Sequence, residues 1–379
     1  MWKKSLLLLT WALGAIYGAP LHAQLALEDG TPDEKYQDVK IEKFQRSPGQ
    51  QQVAFSYSRP GSRYIRLVLK EVHLPPGTKL TIGGDDDPSG FVKSGPFDVA
   101  ELLPPLVTGG SATITVTGEA VDAVTLTLAK VIPQQANASP WKSIYGNNDL
   151  VKISHIASNL PLAAAARSVV FLSFIDDGDD KVCSGFVLSS KTIMTNHHCV
   201  SAQETCDSTS ILFDYLKDNR GDISIGDQRH CKRVLVDSPL LDYAVLELDE
   251  PVQAIYAPLP LMDTKPMPGE VTKLVQHPGG EWKQISEVGC EVLEVGVAST
   301  DPKVATDITH RCDTIGGSSG SPLLIASSQT GSQRYCVGAL HHWGFDSKSA
   351  IFNSRNRAIQ PQLIVESLKQ AGIQYQLCK

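Results

Sequence analysis

Three stretches in the second half of the chain carry the residue types that acyl transfer uses. Thr195-Asn196-His197-His198-Cys199 supplies an imidazole, a group that changes its charge near neutral pH. A His-His-Cys string also invites a metal reading, but no further cluster at ligand spacing follows, so no metal is expected. Asp242 opens the apolar run Tyr243-Ala244-Val245-Leu246-Glu247-Leu248 and is drawn toward the core, where a carboxylate needs a partner. A histidine whose ring must stay oriented is such a partner. Gly316-Gly317-Ser318-Ser319-Gly320-Ser321-Pro322 can fold tightly, expose a hydroxyl and aim neighbouring amide N–H groups at one point.

Taken jointly, His198, Asp242 and Ser319, in that order and 44 and 77 residues apart, resemble the trypsin/chymotrypsin-like serine endopeptidases. The order differs from that of the α/β-hydrolases and of the subtilisins. The resemblance implies an all-β fold, a chymotrypsin-like double antiparallel β-barrel with a C-terminal helix and the site in the cleft between barrels. It implies that His198 takes the proton of Ser319, that Asp242 orients the imidazole, and that the N–H groups of Gly317 and Ser319 receive the oxyanion. Such a mechanism calls for a protein or peptide substrate and for no metal or organic cofactor.

Within that class the chain is similar to the bacterial lysyl endopeptidases and, more distantly, to the glutamyl endopeptidases. The likeness rests on GSSGSPL at Gly317–Leu323, HPGGEWKQIS at His277–Ser286 and VGALH at Val337–His341, and runs from about Val169 to Ile373. One departure matters. Trypsin-like zymogens place an Asp directly before the nucleophile to receive a new N-terminal ammonium, and here that position is Ser318. Activation by that salt bridge is therefore not expected, and the module preceding the protease is read instead as a propeptide.

For substrate preference, Asp346 precedes Ile351-Phe352 at the spacing of the lysine-binding Asp of lysyl endopeptidases, although the loop after His341 is shorter. A competing register sets His342 before Trp343-Gly344, as glutamyl endopeptidases do to receive an acidic side chain, whereas the lysyl register puts His341 near the triad. Residues 151–379 carry 20 basic and 26 acidic side chains, which inclines the balance toward cationic substrates.

These groups must be positioned by the surrounding elements. All eight cysteines, 183, 199, 206, 231, 290, 312, 336 and 378, lie in the second half, and an even count in an exported chain points to disulfides. A Cys183–Cys199 bridge would tie a strand to the turn bearing His198. Eight cysteines allow about 105 pairings, and the expected remainder, Cys206–Cys231, Cys290–Cys312 and Cys336–Cys378, is a structural guess. Pro361–Gln370 has helical character, with Gly372 as its stop.

Residues 1–23 have the layout of a signal peptide: Lys3 and Lys4, an apolar run from Leu6 to Ile16, and a small residue at Ala23. A secreted or periplasmic protein follows, with no membrane attachment after signal removal. Residues 24–133 read as a small β-sandwich module, from runs such as Tyr64–Leu69, Ala112–Thr117 and Val124–Leu128. Residues 134–150 read as a linker, and 151–379 as the peptidase domain. The acidic runs at Asp85–Asp87 and Asp176–Asp180 are taken as solvated turns rather than calcium loops. The chain has 379 residues, 42% hydrophobic and 20% charged, with 34 basic against 41 acidic side chains. That composition excludes a disordered chain, and the net charge of −7 argues against a nucleic-acid partner. A monomer is expected.

Overall fold

The computed structural model describes residues 23–24, 52–84, 90–135, 142–158, 160–299, 304–327, 334–345 and 355–378. Most of the signal segment, the run Asp85–Asp87 and Asp346 lie outside the described residues.

The chain divides into two compact units. The first takes the chain through Pro60, Val68–Leu102 and Val107–Val131. Its strands are held in antiparallel ladders such as Gln52–Ser58 with Ser111–Gly118, and Thr78–Gly83 with Phe91–Ser94. Period-two burial explains the pairing: in Ser111–Gly118 the side chains of Ala112, Ile114 and Val116 are buried while the intervening threonines are half-buried. The strands expected at Tyr64–Leu69 and Ala112–Thr117 fall within Ser62–Leu74 and Ser111–Gly118, and the one expected at Val124–Leu128 overlaps Thr125–Gln135, which starts one residue later.

The second unit comprises Gly61–Leu67, Leu103–Leu106 and Ile132–Lys379. Six strands close into a barrel in the order Val169–Asp176, Asp179–Ser189, Thr192–Thr195, Tyr243–Leu248, Asp227–Ser238, Ser210–Phe213. A second sheet of eight strands has Thr272–Gln276, Pro322–Ser327, Arg334–Trp343, Asn356–Ile359 and Asp307–His310 in its middle. This is the chymotrypsin-like double-barrel arrangement, nearly all β. The helix Pro361–Gln370 buries Ile364, Val365 and Leu368 and ends before Gly372, which takes φ +68°. Four disulfides join Cys183–Cys199, Cys206–Cys231, Cys290–Cys312 and Cys336–Cys378.

Two expectations are corrected here. The polar stretch read as a linker is partly integral to the second unit: Lys142–Ser143 pairs antiparallel with Thr314–Ile315, and Tyr145 N–H and Asp149 N–H both donate to the Asp313 carboxylate (2.8 and 3.2 Å). A Pro/Gly-containing polar sequence is thus compatible with a fixed path when its amides find buried acceptors. Asp180, read as part of a solvated turn, has a buried carboxylate that accepts from Arg66 Nε (3.1 Å) and Tyr64 Oη (2.9 Å). Arg66 is equally buried and also donates to Ser173 Oγ and to the Ser208 carbonyl. Sequence reading missed this because the partners are more than a hundred residues apart.

Candidate active site

Asp242 occupies the last position before its strand, with φ +41°, in the left-handed region that Asp tolerates better than most side chains. Asn196 Nδ2 donates to its carbonyl (2.7 Å), which fixes the turn. The carboxylate is nearly buried and faces three donors. Its Oδ1 accepts the His198 backbone N–H (3.0 Å), and its Oδ2 lies 2.8 Å from His198 Nδ1 and 3.1 Å from His342 Nδ1. Burial opposes ionisation, but the hydrogen bonds and charges of His198 and His342 outweigh it and hold the carboxyl well below the usual range. An ionised carboxylate only accepts, so both Nδ1 atoms carry protons and His198 is left with Nε2 as its basic nitrogen. The ring stacks on the Trp343 indole, with centroids 5.0 Å apart.

The nucleophile loop is built by small residues and by one strand of the first barrel. Ser184 N–H donates to the Ser319 carbonyl (2.8 Å) and Ser184 Oγ to the Gly317 carbonyl (2.9 Å), while His277 N–H donates to Ser184 Oγ. Gly317, at φ +101°, is pressed so closely that a Cβ there would sit 2.9 Å from the His277 carbonyl oxygen. The His277-Pro278-Gly279-Gly280 turn holds the loop from the other side, with Gly279 N–H donating to Gly316 O (2.7 Å). Ser318 is buried, and its hydroxyl donates to Ile315 O within the same loop (2.6 Å). The position that would hold an activating Asp thus serves the loop's own turn.

Among the described residues, the backbone N–H groups of Gly317 and Ser319 donate to no acceptor. The Ser319 hydroxyl is half-buried and donates to the His342 carbonyl (3.5 Å), not to the His198 ring. His198, Asp242 and the Trp343 stack are therefore assembled, and the serine sits beside the same strand end.

His341 and His342 do not offer themselves to substrate. His342 is buried, and both ring nitrogens face carboxylates, Nδ1 on Asp242 and Nε2 on Asp307 Oδ2 (3.1 Å). His341 is buried with Nδ1 3.0 Å from His310 Nε2. In the strand Arg334–Trp343 both side chains are buried and their ring nitrogens are engaged by other side chains, unlike the accessible groups expected. Sequence reading missed the parts played by Asp307, Ser184 and Asn196, whose hydrogen-bond partners lie far along the chain. Adjacent to the loop, burial and the facing Asp313 carboxyl push Asp149 up to about 6. Cys183, His198 and Cys199 cluster tightly, but the two sulfurs are bonded to each other and are spent as metal ligands.

Residues 183–330 match the trypsin-like peptidase domain. Curated relatives include the secreted RxLR effector protein 73 of Plasmopara viticola, 27% identical over 219 residues, spanning 55% of this chain and 51% of that protein. Another is the uncharacterized protein y4fB of Sinorhizobium fredii (strain NBRC 101917 / NGR234), 24% identical over 223 residues, spanning 56% of this chain and 32% of that protein. The chain thus spans about half the length of the first and a third of the second. Similar solved structures include the Rv3671c protease from M. tuberculosis in its active form, with TM-score 0.43 and 17% identity over 65% of this chain and 97% of that one. The inactive form of the Rv3671c protease gives TM-score 0.40 and 19% identity over 57% and 94%. The segment that carries His198, Asp242 and Ser319 is thus the one that matches a trypsin-like peptidase domain.

Proposed function

We propose that the protein is an exported serine endopeptidase that hydrolyses peptide bonds through an acyl-enzyme on Ser319. His198 Nε2 takes the hydroxyl proton as the oxygen attacks the scissile carbonyl, then returns it to the leaving amine. Asp242 holds the ring in that tautomer and stabilises the imidazolium. The unspent N–H groups of Gly317 and Ser319 receive the negative oxygen, each donor lowering the barrier by about 3 kcal/mol. Water then attacks the ester by the same route in reverse. The observation that carries this reading is the 2.8 Å His198–Asp242 contact, in a domain whose Ser319 loop leaves two amide donors free.

Cleavage after Lys is the favoured preference, on the sequence position of Asp346 and the acidic balance of the second module. A glutamyl preference has less support, because His342 is already committed to two carboxylates. The substrate is a protein or peptide, and the folded enzyme is a monomer without cofactor. Residues 24–133 act as a propeptide. Their contribution of Gly61–Leu67 to the peptidase unit supports a role while that unit folds.

A fluorophosphonate probe tests the reading: labelling that disappears in Ser319→Ala supports it, and an unlabelled, folded, processed sample overturns it. Digestion of a denatured protein mixture reads the preference. Cuts after Lys that are lost in Asp346→Asn support the lysyl assignment, and cuts after Glu reject it. Intact mass of the secreted product shows whether residues 24–133 have been removed.

A further inference from the structure

Two elements hold the Ser319 loop from outside: the strand Asp179–Ser189, through Ser184, and the turn His277-Pro278-Gly279-Gly280, through the Gly279 N–H. The turn is soft by composition. Gly279 and Gly280 take φ +67° and +70°, and glycine has more backbone freedom to lose than any other residue. An outside restraint comes from much earlier in the chain. The segment Gly61–Leu67 belongs to the peptidase unit, and the strand that contains it, Ser62–Leu74, has its first eight residues buried.

Arg63 grips the turn. Its side chain is buried, with Nη1 donating to the Gly279 carbonyl (3.1 Å) and Nη2 to Glu281 Oε1 (2.9 Å). The guanidinium thus spans the residues on either side of Gly280, and Gly279 N–H donates to Gly316 O (2.7 Å), one residue from the Gly317 N–H. Tyr64 and Arg66, on the other face of the same strand, grip the start of Asp179–Ser189. Arg66 Nε donates to Asp180 Oδ1 (3.1 Å) and Tyr64 Oη to Asp180 Oδ2 (2.9 Å), four residues before Ser184. Ser184 N–H and Oγ then donate to the Ser319 and Gly317 carbonyls. Tyr64 also packs with Leu106, Phe171, Leu212 and Tyr215 in one apolar cluster. One short strand therefore secures both supports of the nucleophile loop.

We propose that Arg63 is a positioning residue for the oxyanion hole, and that Gly61–Leu67 stays seated in the working enzyme even where the chain is cut between its two modules. This inference rests on the serine endopeptidase reading, and it gives residues 24–133 a role that outlasts folding. Through the Gly279–Gly316 contact the guanidinium fixes where the Gly317 N–H is aimed, and donors aimed before the reaction cost no reorganisation when the charge develops. Release of the segment is opposed by what it would leave behind: the Asp180 carboxylate in its buried site without the Arg66 cation, and the Gly279 carbonyl without its donor.

Arg63→Met keeps the apolar stem and removes both donors. In the full chain, kcat on a peptide substrate and the rate constant for fluorophosphonate labelling of Ser319 should fall about 10- to 100-fold, less than the roughly 10^2- to 10^3-fold loss of a whole oxyanion donor. KM should stay nearly constant, and labelling should still reach one probe per chain. A merely structural defect would lower that final stoichiometry and leave the rate constant alone. A rate constant within about twofold of the unsubstituted enzyme overturns the positioning role. Seating is read without that variant, and so also if Arg63→Met fails to fold: a specific protease site is inserted between Gln135 and Lys142, the chain is cut there, and the product is run on gel filtration in native buffer. The fragment ending at Gln135 is expected to co-elute with the peptidase, and its separation overturns the proposal. Failure of the enzyme reading alone looks different, since the unsubstituted protein then takes no label while the fragment still co-elutes.

Discussion

Asp242→Asn isolates the part of the site that tertiary structure built. Asn tolerates φ +41° as well as Asp does, so the turn survives and only the carboxylate changes. The amide has one acceptor atom and one donor group for three donors. The His198 backbone N–H cannot become an acceptor, so the amide oxygen takes the Oδ1 position and the NH2 group takes the Oδ2 position, facing both Nδ1 atoms. To meet that donor, His198 must shift its proton to Nε2, the nitrogen that should accept from Ser319. Catalysis through the base is then lost for want of a lone pair rather than for want of a ring. The expected fall in kcat is about 10^4-fold, equivalent to about 5.5 kcal/mol of barrier. Two charge-assisted hydrogen bonds also go, and at about 1.5–3 kcal/mol each they lower stability measurably. The assay is kcat and KM on a chromogenic peptide substrate beside urea unfolding, which separates turnover from fold. A folded variant with kcat within tenfold of the unsubstituted enzyme would refute the tautomer argument.

Other outcomes follow from the same contacts. Gly317→Ala sets a Cβ 2.9 Å from the His277 carbonyl and 3.1 Å from the Gly280 nitrogen, backbone atoms that yield little. The displaced N–H should cost about 10^2- to 10^3-fold in kcat with KM nearly constant, and an unaltered kcat would remove Gly317 from the oxyanion role. Arg66→Ala leaves the buried Asp180 carboxylate without its cation, and urea unfolding of the full chain should show a loss of about 3–5 kcal/mol; a loss below 1 kcal/mol would mean that water reaches the site. Replacing Cys183 and Cys199 together by Ser opens a loop of sequence separation 16 and should lower stability by about 3 kcal/mol without abolishing probe labelling of the folded fraction. His310 is neutral in the folded state and its pKa is pushed down to about 3, whereas an unfolded histidine titrates near ~6.5. Its contribution to stability is therefore complete above that value and declines as pH falls toward 3. The acid dependence of the urea midpoint should flatten in His310→Asn, and an identical slope would exclude the buried ring as its source.

The amino-acid order alone made several things legible, each for a local reason. The strands of the first module follow from alternation in segments such as Ser111–Gly118, because a sheet with one buried face demands period two. The C-terminal helix follows from Pro361 at its start and Gly372 after its end, which are backbone preferences that need no partner. His198, Asp242 and Ser319 stood out through residue type, order and spacing. The four disulfides correspond to the pairings expected, although nothing in the cysteine spacing could have excluded the alternatives.

Only the folded chain decided which polar groups share a buried space. His342 looked like a substrate ligand beside Trp343-Gly344, yet it lies buried between Asp242 and an aspartate thirty-five residues away. Lys142–Asp149 looked like slack chain, and its amides instead find Thr314, Ile315 and Asp313. Asp180 looked like part of a solvated turn, and it forms a buried pair with Arg66. Backbone preference and hydrophobic period act over a few residues and so can be read along the chain. Electrostatic pairing in a desolvated interior acts through space, and its energy depends on distance and burial that no local pattern encodes.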